Sequence, residues 1–148
     1  MKSLENNRNN RDEPISIILL NIDNFKKFNN DHSHKTADKF LNKVGKFLIK
    51  DIRSSDEIYR YYLRGDEFLI ICKNTSSRQV RKAADRIREG IQLNGFDVDK
   101  KTFKCTVSCG VTGYEKDESA SVVYERVERA LMSAKKTDNK NCVESITT

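Results

Sequence analysis

The sequence predicts an α+β domain: helices packed on a mixed sheet whose centre is an antiparallel hairpin. Three observations carry that expectation. Ile15 to Ile22 is a continuous apolar run of strand length, as a strand buried on both faces requires. Two aromatic and β-branched runs, near 57–63 and 67–73, flank the polar tip Arg64-Gly65-Asp66-Glu67 and read as a hairpin. Three further stretches repeat apolar residues at three and four, each one face of an amphipathic helix.

Taken in order, residues 1–13 are almost wholly polar and read as a disordered lead-in or linker remnant, with the domain spanning 14–148. Asn21, Asp23 and Asn24 end the first strand. Phe25 and Phe28, three apart, predict a short helix, and 29–35 reads as a polar connection. From Thr36 the pattern turns helical, with Phe40, Leu41, Val44, Phe47 and Leu48 on one face, and 51–56 closes the helix. The hairpin follows. Residues 74–77 supply N-cap candidates for a helix carrying Val80, Ala83, Ala84, Ile87 and Ile91, which Asn94-Gly95 breaks. Phe103, Cys105, Val107 and Cys109 alternate with Lys104, Thr106 and Ser108, predicting a strand with Gly110 and Gly113 at its far end. Val122, Val123, Val127, Ala130, Leu131 and Ala134 predict a third helix, running into a basic cluster at 135–141, and 142–146 reads as a last short strand. This order fits a palm-type, ferredoxin-like sheet. There the end of the first strand lies beside the hairpin, so Asn21-Ile22-Asp23 would neighbour Asp66-Glu67.

That juxtaposition points to chemistry. Adjacent carboxylates at a hairpin tip repel, and a divalent cation carrying a nucleotide triphosphate would relieve the repulsion. A solvated turn is the plainer reading of the tip alone. Acids gathered from neighbouring strands are how palm-type enzymes hold magnesium for attack of a hydroxyl on an α-phosphate. Bulk composition narrows the partners. The formal charge of +6 suits phosphate, but the chain lacks the dense basic stripe with interleaved aromatics of single-strand binders, so no nucleic-acid partner is expected. No apolar run approaches the ~18 residues of a membrane span, and the Asn-rich start is no signal peptide. The 4 cysteines include no C-x-x-C pair and read as free thiols, which together place the chain in the cytoplasm.

Several separated blocks resemble the GGDEF domain of diguanylate cyclases. Asn21-Ile22-Asp23-Asn24-Phe25-Lys26 is similar to the family's D-x-D-x-F-K. Asn29, His34 and Asp38 fall on its N-D-x-x-G-H-x-x-G-D, and Arg64-Gly65-Asp66-Glu67-Phe68 on the signature itself. Ser108-Cys109-Gly110-Val111 resembles S-I-G-V, and Ala130-Leu131 through Lys140-Asn141 resembles A-L-x-x-A-K-x-x-G-[KR]-N. The resemblance implies a nucleotidyl cyclase-like fold and a reaction in which two GTP molecules, on two facing copies of the domain, condense to cyclic di-GMP and two pyrophosphates. It implies Asp66 and Glu67 as catalytic residues and metal ligands, with Asn21 and the Ile22 carbonyl completing a Mg2+ or Mn2+ site. Phe25, Lys26, Lys135 and Lys140 would hold phosphates, Gly65 would admit the nucleotide, and Asn29 and Asp38 would read guanine. A carboxylate suits guanine because it accepts from N1–H and the 2-amino group together. Arg53-Ser54-Ser55-Asp56 matches R-x-x-D, the family's product-inhibition motif.

The departures predict impaired activity. Asn21 stands where the family has its first metal-binding Asp, and a neutral amide removes one anionic ligand. Asp23, two residues on, would share its strand face and substitute for it if the strand continued. Arg64 replaces the first signature glycine, Ser33 and Ala37 replace glycines at the guanine pocket's mouth, Tyr62-Leu63 lengthens the hairpin, and the 138–139 loop carries a further residue. An inactive domain that binds GTP or cyclic di-GMP is the alternative these changes leave open.

Overall fold

The computed structural model describes residues 13–61, 66–137 and 140–146. Its elements are β1 (Ile15–Ile22), α1 (Phe25–Asp31), α2 (His34–Asp51), β2 (Glu57–Tyr61), β3 (Glu67–Lys73), α3 (Ser77–Leu93), β4 (Phe96–Val98), β5 (Lys101–Phe103), β6 (Val107–Tyr114), α4 (Ala120–Lys135) and β7 (Val143–Ser145). The mixed five-stranded sheet runs β2-β3-β1-β6-β7, antiparallel except for the parallel β6–β7 pair.

β1 is central, which explains its unbroken apolar run. Ile18, Leu20 and Ile22 face one core, with Phe40, Val44 and Leu48 of α2 and Val80, Ile87 and Ile91 of α3. Ile15, Ile17 and Leu19 face the other, under Val123, Val127 and Leu131 of α4. Burying both faces leaves no place for polar alternation. The α4 layer sits unusually close: a Cβ built on Gly110 of β6 would lie 2.4 Å from both the Leu131 nitrogen and the Val127 oxygen. Only glycine lets backbone meet backbone there.

Helix starts follow local chemistry. Ser76 opens α3 with a capping box, its hydroxyl accepting from the Gln79 N–H while the Gln79 side chain accepts from the Ser76 N–H. Ser33 accepts from the Thr36 N–H at 3.1 Å and so starts α2 at His34. The expected connection at 29–35 therefore shrinks to His32 and Ser33, because α1 already runs to Asp31.

The alternating stretch 103–109 is not one strand. Phe103 ends a separate ribbon, β4–β5, whose turn places Asp99 and Lys100 both at positive φ, 51° and 71°. Its ring packs edge-on to Phe28 at 5.1 Å, so its apolar character serves an aromatic cluster. β6 begins only at Val107 and runs through Gly110 to end just past Gly113, at Tyr114. Val122, expected on the core face of α4, is 47% exposed. The hairpin extension at Tyr62-Leu63, the tip residues Arg64 and Gly65, the 138–139 loop and the lead-in to residue 12 lie outside the described residues.

Candidate active site

β1 and β3 deliver the site by register. Asn21 lies opposite Glu67, and the Ile22 N–H donates to the Asp66 carbonyl at 3.2 Å. The Asn21 amide also donates to that carbonyl, at 3.4 Å. Glu67 is buried and Asp66 half-buried. Asn21, Ile22, Asp66 and Glu67 thus converge as the strand order predicts, and all four offer oxygen atoms.

Asp23 does not join them. Asn24 adopts the left-handed conformation, φ 59° and ψ 27°, which asparagine tolerates better than most residues. The chain turns only after Asp23, which keeps the face of Asn21: it bonds Ser108, the residue opposite Asn21 on β6. Its side chain, 2% exposed, enters a nest of donors instead. Oδ1 accepts from Ser108 Oγ at 2.7 Å and Lys135 Nζ at 2.8 Å, and Oδ2 from Thr106 Oγ1 at 2.7 Å and the Asn141 N–H at 3.0 Å. Burial alone would push this carboxyl up, but the bonds from Lys135, Thr106 and Ser108 outweigh it and hold it below the usual carboxylate range.

The C-terminal segment reaches the same strand end. Lys135, in the last turn of α4, also points its ammonium at the Ile22 carbonyl, 3.4 Å away. Lys140 Nζ donates to Asn24 Oδ1 at 3.1 Å. On α1, Lys26 is exposed while the Phe25 ring packs towards Phe28, with centroids 6.1 Å apart. Asn29 Oδ1 is buried without a hydrogen-bond partner, an acceptor that a ligand donor would satisfy. Asp38 is exposed on the neighbouring α2. Ser33 serves as the α2 cap, and Ala37 is 2% exposed against the core.

Residues 1–141 match the family model described as diguanylate cyclase, GGDEF domain. The chain belongs to the GGDEF family. It is 34% identical over 131 residues to diguanylate cyclase A of Treponema denticola, covering 88% of this chain and 35% of that protein. It is 33% identical over 122 residues to the diguanylate cyclase DgcP of Pseudomonas aeruginosa, covering 82% and 18%. The chain therefore spans about a third or less of these relatives. Among solved structures, it superposes on the active GGEEF domain of a Vibrio cholerae diguanylate cyclase with a TM-score of 0.80 at 25% identity, covering 99% and 92%. The fold is shared as well with the GGDEF domain of DgcB from Caulobacter crescentus, solved with c-di-GMP, at TM-score 0.82 and 24% identity, covering 97% and 83%.

In this GGDEF domain the R-x-x-D pair lies at the opposite end of the sheet. The Arg53 guanidinium binds Asp56 Oδ1 at 3.0 Å, the Lys73 carbonyl at 2.8 Å and Thr75 Oγ1 at 2.6 Å. Its hydrogen bond to Asp56 raises the Arg53 pKa. Arg53 and Asp56 line a cavity of about 340 Å³ with Gln79, Lys82 and Arg86 of α3. Lys82 and Arg86, four apart on a helix, are cations that motif reading passed over; their spacing was the available signal. A larger cavity, about 500 Å³, opens against α1 between Lys27, His32, Gln92 and Lys104; Ile22, Asp23, Asn24 and Thr106 line it, but Asn21, Asp66, Glu67, Lys135 and Lys140 do not.

Among the described residues, no three His, Cys, Asp or Glu side chains gather as a metal site. A cation here would rest on two carboxylates, a backbone carbonyl and an amide oxygen. These are hard donors of the kind Mg2+ and Mn2+ take, with one negative charge fewer than three carboxylates would supply. No helix among the described residues is long and apolar enough to cross a membrane.

Proposed function

We propose that this GGDEF domain binds GTP at the carboxyl end of β1 and, as a homodimer, converts two GTP molecules to cyclic di-GMP at a reduced rate. The observation carrying this reading is the register: Asn21 opposite Glu67, with the Ile22 N–H on the Asp66 carbonyl. Asp66, Glu67, the Ile22 carbonyl and the Asn21 amide oxygen hold Mg2+ or Mn2+. When bound, the divalent ion polarises the α-phosphate and acidifies the attacking hydroxyl. Asp66 receives the 3′-hydroxyl proton, with Glu67 adjoining. Each 3′-oxygen forms a bond to the α-phosphorus of the facing GTP as that phosphorus releases pyrophosphate; two such steps close the ring.

The remaining residues orient the nucleotide. Lys135 and Lys140 meet its phosphates from the C-terminal side, with Phe25 and Lys26 at the start of α1, and lysine ammoniums serve as point charges for the purpose. Gly65 admits the nucleotide. Asn29 and Asp38 read guanine, a role supported by the orphaned Asn29 oxygen. Arg53 and Asp56, with the α3 cations, form the candidate site for cyclic di-GMP as inhibitor.

One observation favours a second reading, a GTP or cyclic di-GMP receptor without turnover: the position that should carry a metal-binding acid instead donates a hydrogen bond to the hairpin. Concentrated protein incubated with GTP and Mg2+ or Mn2+, followed by product chromatography, separates the two. The enzyme reading expects slow cyclic di-GMP formation, raised on the order of 10-fold or more by Asn21→Asp, which restores a charged ligand. No product from either protein, with calorimetric binding of GTP or cyclic di-GMP retained, establishes the receptor reading.

A further inference from the structure

The Asp23 carboxylate gathers donors from three separate segments of the chain. Lys135 comes from the end of α4, Asn141 from the following loop, and Thr106 and Ser108 from the start of β6; all four donate to it within 3.0 Å. The Asp23 N–H donates to the Thr106 carbonyl at 2.9 Å, locking the turn itself. Ser108 Oγ also accepts from the Asn141 N–H, at 3.1 Å, so the loop is held twice. Lys140 precedes that clamped amide, and its ammonium lands on Asn24, next to Asp23 in the chain. A carboxylate suits this place because every neighbour is a donor. An amide would turn an NH2 group on one of them, and an apolar side chain would leave the four without their shared acceptor.

We propose that Asp23 is a positioning residue: it holds Lys135 directly, and Lys140 through the clamped 140–141 backbone, over the end of β1 where the nucleotide phosphates lie. The inference rests on the phosphate role given to these lysines above. Lys135 keeps one carboxylate partner and is 24% exposed, so it can lean from Asp23 to a phosphate without crossing the site. Asp23 never touches the ligand; it sets where the positive charge waits, as supporting residues do for first-contact groups.

The test compares a ligand with phosphates to one without. GTP and guanosine affinities are measured calorimetrically for the whole chain, for Lys135→Met, for Asp23→Asn and for the double variant, with circular dichroism recording the fold. Lys135→Met is expected to weaken GTP about 10-fold or more and leave guanosine unchanged. Asp23→Asn should do the same, and the double variant should lose little beyond either single one, because both act through one contact. If Lys135→Met leaves GTP binding intact, the phosphate reading beneath the inference fails. A GTP loss with Lys135→Met but not with folded Asp23→Asn overturns the positioning role alone. Equal losses of GTP and guanosine on Asp23→Asn also overturn it, since a general loosening of the site would do that. Should Asp23→Asn not fold, Ser108→Ala decides. It removes one hydroxyl from both Asp23 and the Asn141 amide, and is expected to weaken GTP about 3-fold without touching guanosine; equal effects on both ligands overturn the proposal.

Discussion

The two ends of β1 each bury an aspartate beside a cation, yet the pairs are built differently. At the carboxyl end Asp23 is 2% exposed and Lys135 24%, with two hydroxyls and a backbone amide filling the rest of the carboxylate. At the amino end Asp56 is 7% exposed, but Arg53 is 51% exposed and already forked onto a carbonyl and a hydroxyl. In the first pair the anion is anchored and the cation is the movable member. In the second the cation is anchored, and the carboxylate also accepts from the Arg53 backbone N–H at 3.2 Å, as a turn residue does. A flexible ammonium beside an immobile carboxylate suits a site that takes up and releases phosphates. A guanidinium fixed in a fork suits a planar ligand held in one pose.

The sharpest way to break this contrast is truncation. Asp23→Ala takes the carboxylate from a partly buried ammonium, two hydroxyls and an amide, and should cost about 3–5 kcal/mol in urea unfolding. That is a large part of the roughly 5–15 kcal/mol available to a domain of this kind. Asp56→Ala should cost only about 1–2 kcal/mol, because the half-exposed Arg53 can turn to water and keep its other partners. Equal costs at the two ends would mean that the carboxylates, not their surroundings, set the energetics. A smaller change sharpens the amino end. Arg53→Lys keeps the charge but loses the fork, so unfolding should shift by less than about 1 kcal/mol while cyclic di-GMP affinity falls roughly 10-fold or more.

What the sequence disclosed follows from which signals are periodic. β1 was legible because burial on two faces leaves a continuous apolar run, and its position beside Asp66-Glu67 followed from the order of the elements. The meeting of Asn21 with Glu67 is therefore a consequence of topology, readable without coordinates. The place of Asp23 on the face of Asn21 was readable from the period of two, but its hydrogen bonds to Ser108, Lys135 and Asn141 were not. Its partners lie up to 118 residues away, beyond any local pattern. The 103–109 stretch misled for a related reason. Its alternation is real, but Phe103 spends its apolar face on the α1 aromatics, and the Asp99-Lys100 turn that precedes it contains no glycine to mark it.

The smallest effect concerns a proton at the carboxyl end. Asp23 has a folded pKa below its unfolded value of 3.8, so its contribution to stability is complete well above that value. It is lost as pH falls through the unfolded pKa and then the folded one, where the native carboxylate finally protonates. In metal-free buffer, the stability gap between the wild-type protein and Asp23→Asn should thus be constant from about pH 7 to 5 and shrink below pH 4. One proton is involved and burial opposes the bonds, which keeps the effect modest. A gap for Asp23→Asn that widened on acidification would reverse the sign of the linkage, and would mean that burial rather than the Lys135, Thr106 and Ser108 bonds governs that carboxyl.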